Sequence, residues 1–358
     1  MQNNQAIPFN KENFKQILSR EFAWVIIVSI PGALIADFFN VPLAWFIGPM
    51  LITSIVSLGG VQTKMPRIVL STVLIFLGLY IGNYVDKNLF SQIHQWLWTS
   101  LIMLAYIIVS VLLVSKYLQK FSGYEKKTSI FSAAPGALGP LLILAEDQKS
   151  DLSQVATSHL IRLIIIITVF PFIVNSLHDT ENIKTTEVIL ENQNILHLFI
   201  LVALSIILII AFDKLKIPAA LLAGTLVASG FLQITEIASY KLPENIIDYC
   251  LLILGSSVGC RFANKTFNEI AKNALHSFVA TFLLVLLGLV AALLASLVIE
   301  KNFFTLLLSY CPGGIYEVAV IAIFFNLDPE FVSFHHIIRL LLILFVVPVI
   351  LRILNKKG

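Results

Sequence analysis

Residues 135–171 read PGALGPLLILAEDQKSDLSQVATSHLIRLIIIITVFP, and residues 312–348 read PGGIYEVAVIAIFFNLDPEFVSFHHIIRLLLILFVVP. The two stretches align without a gap at a constant offset of 177 positions. The matched pairs are Pro135/Pro312, Gly136/Gly313, Asp151/Asp328, His159/His336, Arg162/Arg339 and Pro171/Pro348. The chain therefore contains two related halves. In membrane chains this plan is typical of secondary transporters, whose site lies where the halves meet.

The repeat continues toward the N-terminus. At the same offset, Gly78 and Gly82 align with Gly255 and Gly259. Before that the offset is 176, and Val41-Pro42 and Gly48 align with Ile217-Pro218 and Gly224. The two G-x-x-x-G spacings predict close helix packing, and the prolines predict the starts of helices. We interpret both features as structural.

The composition is that of an integral membrane protein. Hydrophobic residues make up 58% of the chain, charged residues make up 13%, and the mean hydropathy is +0.90. These values are too apolar for a soluble domain, and uncharged runs long enough to cross about 30 Å of hydrocarbon recur along the chain. Cys250, Cys260 and Cys311 show neither metal-ligand nor disulfide spacing, so no metal and no cofactor are expected.

The apolar segments divide the chain into five regions. We predict a cytoplasmic N-terminal tail at 1–20, a first membrane repeat at 21–177, a polar linker at 178–194, a second membrane repeat at 195–354 and a basic C-terminal tail at 355–358. The start of the chain is polar, and no cleavable signal peptide is evident.

Each repeat offers six apolar stretches, which leaves two topologies open. Twelve spans would give both halves the same orientation, whereas five spans and one re-entrant segment per half would invert the second. Setting aside Arg162 and Arg339, twelve spans place 15 Lys and Arg inside and 7 outside, and ten spans place 18 inside and 4 outside. Since positive residues concentrate on the cytoplasmic side, we predict an all-α membrane fold of two inverted-topology repeats of about five spans each.

The fifth apolar stretch of each repeat carries a break. Pro135-Gly136 and Pro312-Gly313-Gly314 interrupt apolar runs, where proline removes an amide donor and glycine frees the backbone. Open backbone at membrane depth survives only where it lines a cavity or is buried in protein. One copy would suggest a kinked helix, but two equivalent copies favour broken or re-entrant elements that bind a substrate.

Two arginines lie within the apolar helices. Arg162 and Arg339 lie about eight residues, or roughly 12 Å, into their helices, and an arginine there faces the bundle interior or water. His159 and His336 share a face with them at i−3. We predict a substrate site of Arg162, Arg339, Pro135, Gly136, Gly139, Pro312, Gly313, Gly314 and Glu317, with His159 and His336 as secondary candidates. The structural alternative is that helix carbonyls or carboxylates such as Glu317 satisfy the arginines.

The second stretch quoted above, together with VPLAWFIGPML in the first half and IPAALLAGTLV in the second, resembles the AbrB family of bacterial membrane proteins. The resemblance covers roughly residues 20–355. It implies kinship with the cation/proton antiporter and anion transporter superfamily, which uses inverted repeats and crossing broken helices. The family has Gly-Pro in both of the shorter motifs, and here Gly48-Pro49 keeps it while Gly224-Thr225 does not.

These observations predict a secondary transporter of the bacterial inner membrane, a multi-pass protein of the lipid bilayer. Its partner would be a small anionic or proton-coupled solute, moved by alternating access with protons or sodium. No nucleophile, metal cluster or general base predicts an enzyme, and no helix-turn-helix predicts nucleic-acid binding. An oligomer is compatible with the sequence. The alternative is a membrane-embedded regulatory protein that affects gene expression indirectly, as family labels suggest.

Overall fold

The computed structural model describes residues 11–85, 89–136, 138–177, 195–238 and 245–355, and all regular elements in these ranges are helices. They are α1 (Lys11–Lys15), α2 (Arg20–Phe38), α3 (Ala44–Leu58), α4 (Arg67–Gly82), α5 (Leu89–Ser122), α6 (Lys126–Ala133), α7 (Leu138–Asp147), α8 (Leu152–Leu177), α9 (Ile195–Lys214), α10 (Ala220–Thr235), α11 (Asn245–Cys260), α12 (Phe267–Ser296), α13 (Phe303–Tyr310), α14 (Ile315–Phe324) and α15 (Pro329–Asn355). One turn of 3-10 helix covers Gln16–Leu18. The predicted polar linker at 178–194 lies outside the described residues.

Helix lengths match a protein that crosses a membrane. Six described helices, α2, α5, α8, α9, α12 and α15, are long and apolar enough to span it. Four more apolar helices, α3, α4, α10 and α11, have 15 or 16 residues, or about 24 Å at 1.5 Å per residue. The predicted all-helical membrane protein is therefore confirmed, and the count of ten spans stays a prediction.

The N-terminal region differs in detail from a plain tail. Residues 11–18 form α1 and the 3-10 turn, and α2 begins at Arg20. The side chain of Ser19 accepts a hydrogen bond from the amide of Phe22 at 3.2 Å and so caps the start of α2.

The chain divides into two compact units, each built from both halves of the sequence. The first unit contains residues 1–90, 179–266 and 323–330, and the second contains residues 91–178, 267–322 and 331–358. The first three apolar helices of each repeat thus lie in the first unit, whereas the fourth, α5 or α12, lies almost wholly or wholly in the second. The second unit holds both Pro-Gly breaks and both buried arginines.

The glycine pairs bring helices of the two halves together inside the first unit. A side-chain carbon at Gly82 of α4 would lie 2.7 Å from the Leu226 carbonyl oxygen of α10. One at Gly259 of α11 would lie 2.6 Å from Cβ of Thr53 in α3. The structural interpretation of these glycines is confirmed, because only a hydrogen atom fits at either position.

The two halves also repeat unusual backbone conformations. Eight positions with positive φ fall into four pairs at the repeat offset: Asn40/Lys216, Leu43/Ala219, Gly60/Glu236 and Lys149/Asn326. Leu43 and Ala219 are the residues that precede α3 and α10, directly after the matched prolines. Left-handed conformations are costly for residues other than glycine, so their recurrence reflects a shared local geometry of the repeats.

Candidate functional site

The second unit contains two interrupted helices. α6 ends at Ala133 and α7 begins at Leu138, while α13 ends at Tyr310 and α14 begins at Ile315. The residues before the two prolines, Ala134 and Cys311, are both extended, with ψ of 129° and 131°. A residue before proline avoids the helical region because of a clash with the proline ring, so each break follows from the sequence.

The ends of the first interrupted helix meet. Nζ of Lys127, at the start of α6, donates to the carbonyl oxygen of Gln148, just after α7, at 3.2 Å. The amide of Asp151 donates to Oγ1 of Thr128 at 3.1 Å. In one continuous helix these ends would be about 30 Å apart. The start of α6 and the end of α7 therefore lie close together.

The second interrupted helix has a related contact. The ammonium group of Lys301, just before α13, lies 5.7 Å from the ring centroid of Phe331, near the start of α15. The entrance to α13 is therefore close to the chain that leaves α14. The residues differ from those of the first half, because Lys127 and Gln148 align with Phe304 and Phe325.

Arg162 binds the carboxyl end of α6. It follows the first residue of α8 by ten positions, deeper than the sequence predicted, and is 2% exposed. Its Nη1 donates to the carbonyl oxygen of Ala134 at 2.6 Å, and its Nη2 donates to that of Ser132 at 2.5 Å. The last carbonyls of a helix have no partner within it and carry its negative dipole end. The guanidinium supplies both the donors and the charge.

Arg339 also binds two carbonyls in the second half, one at the position matched to Ala134 and the other, Gly313, just after the proline. It is 1% exposed and donates through Nη1 to the carbonyl oxygen of Cys311, and through Nη2 to that of Gly313 at 2.5 Å. Ala134 and Cys311 are themselves a matched pair of the repeat. The carbonyl contacts of the structural alternative are therefore present for both arginines. Within the described residues, however, Nε of each arginine is buried without a hydrogen-bond partner.

Both arginines contact the first break. The Ala134 carbonyl accepts from Arg162 and, at 3.0 Å, from the amide of Gly136. Gly136 has a φ of +113°, and a side-chain carbon there would lie 3.0 Å from Nη2 of Arg339. The structure thus brings together Arg162, Arg339 and the Pro135-Gly136 break.

The two predicted histidines bind the half-helices as well. Nε2 of His159 donates to the carbonyl oxygen of Phe131, and Nε2 of His336 donates to that of Leu308, each at 3.0 Å. Arg339 Nη2 donates to Nδ1 of His336 at 2.9 Å. Because a carbonyl only accepts and Nδ1 is used as an acceptor, His336 is a neutral imidazole.

Glu317 distinguishes the two halves. It lies in the first turn of α14, is 2% exposed, sits beside Gly314 and interacts electrostatically with Arg339. Pro140 occupies the matched position of α7. Gly139, in the first turn of α7, has open space where a side chain would point.

His335 is a buried residue that sequence reasoning missed. It is fully buried, and its Nε2 lies 2.8 Å from Oγ1 of Thr99. Its ring centroid is 4.1 Å from that of Phe331 and 6.3 Å from that of Trp96. The His335-His336 doublet was visible in the sequence, but only His336 has a matched partner in the first half. The repeat therefore directed attention away from His335.

The first half has hydroxyl groups at the matched place. Ser158, which aligns with His335, lies 3.3 Å from the hydroxyl of Tyr124 and accepts from Ser277 at 3.4 Å. Tyr124 donates onward to Oδ1 of Asn273 at 3.1 Å. Tyr124 lies between α5 and α6, and burial raises the pKa of its phenol. The chain of hydroxyls reaches α8 one residue before His159.

Metal ligands do not cluster in the described parts of the chain: no group of three or more His, Cys, Asp or Glu there could hold a metal ion. The polar chemistry of the second unit is instead that of cationic donors, backbone carbonyls and one buried carboxylate.

A helical membrane protein with these features can now be placed in a family. The family profile described as "Transition state regulatory protein AbrB" matches residues 2–88 and 45–355. The chain therefore belongs to the AbrB family, as the sequence motifs predicted. The kinship with the cation/proton antiporter and anion transporter superfamily stays a prediction.

Two curated relatives are similar along most of their length. "Uncharacterized protein YhjN" of Bacillus subtilis (strain 168) is 22% identical over 93% of this chain and 92% of that protein. "Putative regulator AbrB" of Escherichia coli (strain K12) is 21% identical over 89% of this chain and 92% of that protein. The similarity thus covers both repeats.

Proposed function

We propose that the protein is a secondary transporter of a small anionic solute, working by alternating access in the bacterial inner membrane. The observation that carries this proposal is the pair of buried arginines bound to the broken ends of two half-helices. A buried arginine is costly at membrane depth. Two of them lie at matched positions beside backbone that has left the helix, and transporters bind their solutes at such broken helices where two repeats meet.

The contacts of the arginines suggest how a solute would be held. Each guanidinium offsets the negative carboxyl end of α6 or α13. The amino ends of α7 and α14 begin at the same breaks and carry the opposite partial charge. A solute at the breaks would therefore meet positive helix ends and the Nε–H groups of the arginines, which have no hydrogen-bond partner within the described ranges. Arg suits this role because it keeps its charge when buried.

The contact between the start of α6 and the end of α7 supports five spans and one re-entrant element per repeat, with α6 and α7 as a hairpin. Since both ends of the hairpin meet near Lys127 and Gln148, this segment would enter and leave the membrane on the same side. The second repeat would then be inverted, with both termini cytoplasmic. Under this topology α8 and α15 run in opposite directions, and their arginines approach the midplane from opposite sides.

Regulation is the second candidate function, favoured by the name of the E. coli relative. A membrane-embedded regulator would act through loops or tails and through a protein partner. It would therefore tolerate neutral substitutions of its buried arginines. We propose no enzymatic activity and no binding to nucleic acid.

Arg162→Gln and Arg339→Gln test the transport proposal. Each variant removes the charge and the bidentate contact at one break, so we expect uptake into proteoliposomes to fall by at least about a hundredfold, as for loss of a buried charged partner worth about 3 kcal/mol. The assay presents small organic anions and amines, with and without a proton gradient. Arg352→Gln is the matched control, since Arg352 is exposed near the end of the same helix as Arg339.

Protein amount and monodispersity after purification show whether each variant still folds. Wild-type protein that moves no solute of any class, together with a signalling protein that co-purifies with it, would establish the regulatory alternative instead.

A further inference from the structure

The charges buried in the second unit do not sum to zero. The charged side chains that the described part of the chain buries almost completely are Arg162, Arg339 and Glu317, each at most 2% exposed. The interrupted helices add no net charge, because each break pairs one carboxyl end with one amino end. Two cations and one anion leave a net charge of +1.

The buried histidines do not change this sum. His159, His335 and His336 each donate one N–H to a backbone carbonyl, as a neutral imidazole does. A second ring N–H on His336 would also collide with the donor Nη2 of Arg339. The neutral form is therefore the one consistent with these contacts.

An uncompensated charge in a low-dielectric interior is costly, and pairing it removes much of the cost. Unused donors lie beside the same charges. Nε of Arg162, Nε of Arg339 and Oγ of Ser132 are buried without a hydrogen-bond partner among the described residues. Ser132 lies in α6, and its carbonyl oxygen already accepts from Arg162. The local chemistry thus offers spare N–H and O–H donors around one excess positive charge.

We infer that the solute carries a single negative charge and is held by a carboxylate or a group of similar shape. A monocarboxylate neutralises the excess charge and can accept several of the spare donors, because it offers about four lone-pair positions. A dianion would leave the interior at −1, and a neutral or cationic solute would leave it at +1 or above. The inference rests on the proposed transport function and specifies the substrate class of the same site.

Glu317 sets the charge that the site accepts. It has no acidic counterpart in the first half, where Pro140 stands. In Glu317→Gln the buried sum becomes +2. The preference is then expected to move from monoanions to dianions by at least about tenfold, because each unpaired charge left in a buried site is strongly disfavoured. Glu300→Gln is the matched control, since Glu300 is exposed just before α13.

The experiment compares solutes of similar size and different charge on the full-length protein at pH 7.5. The probes are lactate and butyrate as monoanions, malate and succinate as dianions, and glycerol and choline as uncharged and cationic solutes. Uptake into proteoliposomes and the shift of the melting temperature in detergent are both measured. We expect monoanions to give the largest signals in wild-type protein and in Glu300→Gln, and dianions to gain in Glu317→Gln.

The wild-type panel alone decides the inference, even if Glu317→Gln does not fold. Uptake or stabilisation that favours dianions, neutral solutes or cations would overturn the monoanion assignment and leave transport standing. A folded Glu317→Gln protein with unchanged charge preference would overturn it as well. If no probe and no wider panel of solutes moves or stabilises the protein, transport itself falls, and the inference falls with it.

Discussion

At the level of single residues, each buried arginine makes the carbonyl contacts of the structural alternative, and the proposed function adds solute binding through the rest of the same guanidinium. Its Nη groups hold the carboxyl end of a half-helix in place, as Arg162 does for Ala134 and Ser132. Its Nε–H has no hydrogen-bond partner among the residues that the structure describes. Structural capping uses part of the guanidinium, so it does not compete with binding a solute through the remainder. The guanidinium keeps its positive charge whether it only caps the half-helix or also binds a solute.

Gly136→Ala tests how tightly the first break is built around Arg339. Gly136 has a φ of +113°, and its missing side chain leaves room for the Arg339 guanidinium. We expect alanine to destabilise the fold by about 1–3 kcal/mol, the usual cost of a forced unfavourable backbone conformation. The measurement is the thermal midpoint in detergent.

Gly139→Ala is the control for stability, because open space surrounds a side chain at that position. Equal midpoints for the two alanine variants would contradict the proposed close contact between Gly136 and Arg339.

Much of the site could be predicted from sequence at this scale, and the limits have physical causes. The repeat register identified Arg162, Arg339 and both breaks, because matched residues occupy matched positions. It missed His335 and Ser158, since these differ between the halves and a repeat highlights only what is shared. It also could not decide whether the guanidinium groups bind carbonyls, because the sequence does not give the positions of backbone atoms.

At the level of elements, the second unit contains two pairs of short helices, and a Pro-Gly break separates the members of each pair. The pre-proline residues Ala134 and Cys311 end α6 and α13, and the chain then starts a second short helix. The sequence predicted the interruption from proline and glycine alone. It left a broken helix and a re-entrant element open, since the choice depends on the contact between Lys127 and Gln148, 21 residues apart.

Single cysteines at positions 149 and 301 test the direction of the two hairpins. With five spans per repeat, residue 149 follows a cytoplasmic re-entrant hairpin and residue 301 precedes a periplasmic one. We expect a membrane-impermeant thiol reagent applied to intact cells to label the cysteine that replaces Lys301 and to leave the one that replaces Lys149 unlabelled. Cys250, Cys260 and Cys311 are first replaced by serine to remove background labelling.

Labelling at position 149 from outside would restore the twelve-span topology and would remove the inverted arrangement on which the convergence of α8 and α15 depends.

At the level of the whole molecule, the two halves of the sequence are interlocked rather than placed side by side. α4 of the first half packs its glycines on α10 of the second, and α11 of the second packs its glycines on α3 of the first. Ser29 of α2 and Ser256 of α11 are joined at 2.6 Å across the same region. Each half therefore completes the packing of the other.

Gly259→Val tests this interlocking. The new side chain would meet Cβ of Thr53 at 2.6 Å, the Met50 carbonyl oxygen at 2.9 Å and the Ser54 amide at 2.9 Å. Because two of these are backbone atoms, the helices must separate, and we expect a loss of at least about 1–3 kcal/mol, as for other overpacked sites.

Ala203→Val is the control for the valine itself, since Ala203 lies exposed on α9. The thermal midpoint and the fraction of monodisperse protein are the measurements, and a midpoint unchanged from wild type would show that α3 and α11 can move apart freely.

Reciprocal packing of this kind also means that helices of the first half must wait for their packing partners during synthesis. α3 and α4 leave the ribosome early, but the helices they pack on are translated only after the rest of the first half and the linker. At about 5–20 residues per second, that delay is on the order of ten seconds. During it, the Gly78 and Gly82 face of α4 lies in the bilayer without its partner, and small-residue faces readily pair with whatever helix is near. A nascent chain arrested before α10 should therefore depend on insertase or protease surveillance in a way that the finished protein does not.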